Sequence, residues 1–122
     1  MSSPAPTDDE LIRRALKATV DGPYFPDWEF HALFGLSRDD VRAVLDAWPS
    51  EPSAVSGYET GAEVQRAGVN NAFNNLLGYP HGHDEQLVED VGVSKRDLAL
   101  VFARWRKEDF DPGARGYFDR MM

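Results

Sequence analysis

The sequence predicts an all-α, single-domain protein of six main helices arranged as two tandem three-helix units with pseudo-twofold symmetry. Three observations carry that prediction. Apolar residues recur at helical spacing in six separate stretches. Helix-start signals of Ser or Thr followed three residues later by an acid open four of them, at Thr7/Glu10, Ser37/Asp40, Thr60/Glu63 and Ser94/Asp97. The two halves of the chain also repeat one another at a shift of 57 residues.

The first helix opens on Thr7-Asp8-Asp9-Glu10, whose carboxylates suit the positive end of a helix dipole. Leu11, Ile12, Ala15, Leu16 and Val20 make its apolar stripe, and Asp21-Gly22-Pro23 stops it. Tyr24 to Pro26 is an extended connector, because a residue before proline avoids the helical region. A short helix spans Asp27 to Phe34 and ends on Gly35 as a left-handed cap. The third runs from Ser37 to Trp48, with Val41, Val44, Leu45 and Trp48 on one face. Residues 49–57, rich in Ser and Pro, read as a loop. A fourth helix runs from Thr60 to Leu77, weakened by Gly61 and Gly68 at about 1 kcal/mol each relative to Ala. Gly78-Tyr79-Pro80 ends it. The fifth is Asp84 to Val91 with Gly92 as cap, and the sixth runs from Ser94 to Lys107 over Leu98, Val101, Phe102 and Trp105. Segment 108–122, with Phe110, Tyr117 and Phe118, reads as a tail docked on the core.

Units 8–48 and 65–105 align without a gap, and 8 of the 41 pairs are identical. Ordinary residue usage would give about two or three. The identities fall where structure demands them: Pro23/Pro80 at the stop, Asp27/Asp84 opening the short helix, Gly35/Gly92 at its cap. Ser37/Ser94, Asp40/Asp97 and Trp48/Trp105 follow. Core positions that differ exchange like for like, as in Leu16/Phe73 and Leu45/Phe102.

Composition bounds the function. The chain has 122 residues, no cysteine and a formal net charge of −8. Disulfides and thiolate chemistry are excluded, and no apolar run approaches the ~18 residues that a membrane span needs. Met1 to Thr7 is polar and lacks a signal-peptide layout, so a cytoplasmic location is expected. Arg outnumbers Lys 10 to 3, which fits a GC-rich bacterial coding style. Residues 1–64 carry a net charge of −7 and residues 65–122 only −1, so attraction to nucleic acid is opposed, most strongly by the first unit.

Segments 27–48 and 84–105 each resemble a helix-turn-helix: a short helix, a glycine turn, an apolar residue with Ser, then a second helix. One position departs, since that motif places a small residue mid-way along its first helix and this chain has His31 and Val88 there. The resemblance implies a DNA-binding alternative in which Lys95, Arg96, Arg104 and Arg106 face phosphates.

Three other features have sharper chemistry. His81, His83 and Asp84 offer two imidazoles and a carboxylate to a metal, with His31 as a further donor, although spacing fixes no third ligand. Asn70, Asn71, Asn74 and Asn75 form two polar ridges at i, i+4 spacing, suited to a partner or to neighbouring loop backbone. Tyr24, Phe25 and Trp28, beside Asp27 and Glu29, are aromatics that the repeat does not demand, because His81, Gly82 and Glu85 stand in their places. Catalysis finds little support: Ser37 and Ser94 are explained as caps, no acidic pair stands out, and no glycine-rich phosphate loop exists. The expected function is a non-catalytic interaction or regulatory protein without a cofactor, binding a protein partner. A DNA-binding regulator is second, and a metal- or small-ligand-binding protein third.

Overall fold

The computed structural model describes residues 6–55 and 57–109, the last two by their backbone alone. The tail aromatics Phe110, Tyr117 and Phe118 lie outside the described residues, which contain six α-helices and no strand. These are α1 Asp8–Asp21, α2 Asp27–Phe34, α3 Arg38–Ala47, α4 Gly61–Gly78, α5 Asp84–Val91 and α6 Lys95–Asp109.

Their boundaries follow from local chemistry. Thr7 Oγ1 accepts from the Glu10 amide at 3.1 Å, and Ser94 Oγ accepts from the Asp97 amide at 3.1 Å. Ser37 and Asp40 exchange both bonds of a capping box. Gly35 (φ 66°) and Gly92 (φ 81°) take the left-handed cap conformation, with their amides donating to His31 and Val88 carbonyls.

The two long helices, α1 and α4, pack on each other and hold the rest. Helix α1 also contacts α3, α5 and α6, while α4 contacts α6, α2 and α3; α2 touches α3, and α5 touches α6. The short helices cross over, since α2 lies on α4 and α5 lies on α1. The first three helices and the last three are therefore interlocked. Backbone carbonyls at the ends of the short helices fix this crossing. Asn71 Nδ2 on α4 donates to the Phe34 carbonyl at 2.7 Å, and Arg14 on α1 donates to the Val91 carbonyl at 3.1 Å. Such carbonyls have no partner within their own helix.

One core runs through the molecule, with Phe34, Val44, Phe73, Leu87 and Leu98 fully buried. Trp48 and Trp105 are each 6% exposed, and Trp48 Nε1 donates to the Asp9 carbonyl at 2.9 Å. Gly68 lets α3 approach α4 closely: a Cβ there would stand 3.1 Å from Val44 Cγ2. The helix-turn-helix departure has a structural counterpart. His31 is exposed and Val88 is 39% exposed, so neither sits in a tight helix crossing.

Candidate functional site

The aromatic cluster at the first connector divides in two. Tyr24 and Phe25 are core residues, 1% and 4% exposed, whereas Trp28 is 81% exposed. Helical geometry explains the division. Phe30 and Phe34 set the buried face of α2, and two residues before Phe30 the helix has turned by roughly 200°, which points Trp28 at solvent. The plug itself is well built. Tyr24 Oη donates to Asp90 at 2.6 Å, and its ring meets the His81 ring edge-on at 5.0 Å. Phe25 stands edge-on to Phe34 at 5.2 Å and to Tyr79 at 5.7 Å. Burial, then the bond to Asp90, pushes the Tyr24 phenol above its ordinary range.

The carboxylates that flank Trp28 are both engaged. Asp27 pairs with Arg38 at 2.8 Å, and Glu29 accepts from the Tyr79 hydroxyl, which raises the Tyr79 pKa. Arg38 does more than pair. It donates to the carbonyls of Val20 at 2.8 Å and Phe25 at 2.9 Å and lies 4.4 Å over the Phe30 ring. It thus satisfies the end of α1 and holds the connector that presents Trp28. Local spacing assigns Arg38 no such role. A signal for it existed in the repeat, where an acid and a base recur together at Asp27/Asp84 and Arg38/Lys95, and the structure pairs Lys95 with Asp84 at 3.1 Å as it pairs Arg38 with Asp27.

The asparagine ridges turn inward. Asn71 caps Phe34, and Asn75 Nδ2 donates to the Leu33 carbonyl at 3.2 Å and the Asn71 carbonyl at 2.8 Å. Asn70 Nδ2 donates to Asn71 Oδ1 at 3.3 Å, which leaves Asn74 as the exposed member. Asn71 and Asn75 thus spend their side-chain N–H groups on backbone carbonyls within the fold.

The histidines do not assemble as metal ligands. The His81 side chain is 1% exposed; its Nε2 lies 2.9 Å from the Leu76 carbonyl and its Nδ1 accepts from the His83 amide at 2.9 Å. A tautomer protonated on Nε2 satisfies both contacts and leaves no lone pair for a cation. Asp84 is drawn to Lys95, and His31 stands exposed on α2. Among the described residues no group of three or more His, Asp or Glu is arranged to hold a metal ion.

Two of the basic residues are tied to acids. Lys95 holds Asp84, and Arg104 makes a forked pair with Asp8, at 2.8 Å on both arms. Arg106 lies 5.4 Å over the Phe102 ring, and Arg96 is exposed at the start of α6. A concavity of about 290 Å³ opens between the end of α1 and α5, walled by Arg14, Lys17 and Ala18, by Gly22 and Pro23, and by Gln86. Comparison with protein-family models, with curated proteins and with solved structures found no match.

Proposed function

We propose that this protein is a non-catalytic interaction module that docks a protein partner through Trp28, on a scaffold produced by internal duplication. The exposure of Trp28 carries the reading. A tryptophan 81% exposed on an ordered helix is costly to leave in water, and Trp is the residue type most enriched at binding hot spots. Its place in the fold supports the same view. The duplicate position holds Glu85, so folding does not ask for tryptophan there, while Arg38, Phe25 and Tyr79 brace the helix that carries it.

The duplication is supported by the interhelical contacts. Exchanging α1, α2, α3 with α4, α5, α6 maps each principal contact onto another: α1–α3 onto α4–α6, α1–α5 onto α2–α4, α1–α6 onto α3–α4. The carbonyl clamps obey the same exchange, because Arg14 and Asn71 are 57 positions apart and so are Val91 and Phe34. In this reading one copy of the short helix kept a charged face and the other acquired Trp28.

Capture from the native extract on immobilised wild type, Trp28→Ala and Val88→Ala tests the interaction. We expect a protein retained by wild type and by Val88→Ala and lost from Trp28→Ala, with affinity reduced by about 2 kcal/mol, roughly thirtyfold. Equal capture on all three would overturn the assignment of Trp28 as the contact.

A further inference from the structure

The chain has two acidic short helices, and only one of them carries an indole. Residues 27–40 hold four carboxylates, on Asp27, Glu29, Asp39 and Asp40, against one cation, Arg38, a net of −3. Residues 84–97 hold five acids against two bases, also −3, with Glu85 where Trp28 stands. Charge is common to both; Trp28 is the difference. The two helices packed on α2 leave its charge standing. Helix α4 has no charged residue between Arg66 and its end at Gly78. Helix α3 supplies Arg38, spent on Asp27, on the Val20 and Phe25 carbonyls and on the Phe30 ring. It also supplies Arg42, which Asp21 holds at 3.0 Å. Arg38 meets Asp27 on Oδ1, at 2.8 and 3.0 Å, yet the Asp27 side chain is 93% exposed, so its second oxygen faces water. Asp39 is exposed in the first turn of α3 and has no ion pair among the described residues. Trp28 is open within its own helix as well. The residue one turn on is the exposed Ala32, too small to cover an indole.

We infer that the protein partner at Trp28 presents a basic segment, one of whose Arg or Lys side chains lies on the indole face with its charged head at the outer oxygen of Asp27. The inference rests on the reading of Trp28 as the contact and adds the chemistry of what docks there. Indole is the best aromatic receptor for a cation, and the carboxylates on either side of it in the chain deepen the negative potential around its face. The stem of such a side chain covers the ring while its head keeps a charge-assisted bond to Asp27, so neither group is left unmatched. Other segments fare worse. An acidic one would meet four carboxylates, and an apolar one would strip water from Asp27 with nothing in return. Asp39 follows Arg38 in the chain, extends the same field and suits a second base of the segment. The acids of α5 make a similar field but lack the anchor that would hold a basic segment once it arrived.

The test is a selection of random peptides displayed on phage against the immobilised full chain at physiological salt, with binders of Trp28→Ala removed at each round. That variant keeps the net charge, so peptides held by charge alone are discarded. The survivors are expected to carry a net positive charge, and as free labelled peptides to bind wild type in anisotropy titrations with an affinity that falls as salt rises. Trp28→Leu keeps apolar bulk without the π face and should weaken them about fivefold. Asp27→Asn and Asp39→Asn should each weaken them about threefold. Asp46→Asn, exposed in the last turn of α3, should leave them unchanged. Trp28-dependent peptides that are neutral or acidic overturn this inference and leave the docking role of Trp28 standing. An effect of Asp46→Asn equal to that of Asp27→Asn also overturns it, since the attraction would then lie in the net charge. Failure to recover any peptide that tells wild type from Trp28→Ala overturns both readings.

Discussion

At the scale of single residues, the informative ones are those whose neighbours could not be read from spacing. Trp48 was legible as core because it closes an i, i+3, i+4, i+7 stripe, and the structure adds its bond to the Asp9 carbonyl and the Arg13 bond to its own carbonyl at 2.8 Å. Trp48→Ala removes the packing and the indole's bond to α1, while the carbonyl that Arg13 meets stays in place, so it should cost about 3–5 kcal/mol in urea melts. A loss below about 1 kcal/mol would mean that the indole packs loosely. Trp28→Ala should behave oppositely, changing stability by less than about 1 kcal/mol, because little of the side chain is removed from water. That contrast was only half legible. The repeat marked Tyr24, Phe25 and Trp28 together as unexplained, and only the register of α2 against Phe30 and Phe34 separates a plug from a surface residue. His81 makes the same point from the other side: its closeness to His83 in sequence suggests a ligand pair, but both ring nitrogens are spent on backbone. Zinc should therefore leave the melting temperature of wild type unchanged, and a rise abolished by His81→Ala/His83→Ala would show that the ring gives up those bonds for a metal.

At the scale of elements, boundaries were legible because capping is local chemistry, whereas docking was not, because it depends on partners far away in sequence. Ser37, Thr60 and Ser94 announce helix starts within three residues, and all three cap as read. Nothing local reveals that α2 lies on α4, since Asn71 and Phe34 are 37 positions apart. Asn71→Ala strands the buried carbonyl end of α2 and should cost about 1–3 kcal/mol, with added amide exchange concentrated in α2; equal loss of protection in all helices would instead mark a global effect. Ion pairs act more weakly. The Arg104 fork lowers the Asp8 pKa, and the hydrogen bond from Arg42, aided by Lys17, lowers that of Asp21. A depressed carboxylate binds fewer protons folded than unfolded, so its contribution is present above the ordinary value of 3.8 and fades as the pH falls through the lowered one. Both pairs are partly exposed, so Asp8→Asn should cost less than about 1 kcal/mol at neutral pH. That difference should close as the pH falls through the lowered Asp8 pKa and shrink in high salt.

At the scale of the whole molecule, charge and connectivity decide the behaviour. A formal net charge of −8, with Lys95 and Arg104 already held by acids, should keep affinity for duplex DNA weak at physiological salt. Anisotropy titrations showing sub-micromolar, steeply salt-dependent binding would restore the DNA-binding reading. Connectivity gives the stronger expectation. The sequence presents two units of like pattern within one domain, and nothing local reveals that each short helix finds its main bed on the long helix of the other half. Alone, residues 1–56 would keep α1 and α3 in contact but leave the α4-facing surface of α2 and the α5-facing surface of α1 in water. They would also lose Asn71 from the Phe34 carbonyl, while residues 57–122 would lose Arg14 from the Val91 carbonyl. A chain of some 60 residues has little core to spare, and here its core is shared. Each fragment alone should therefore show weak helical circular dichroism and no cooperative melt. Mixing the two should restore a cooperative, concentration-dependent transition, since association supplies the missing faces. If residues 1–56 melt cooperatively on their own with the helicity of the parent, the cross-over contacts are dispensable and the units are independent after all.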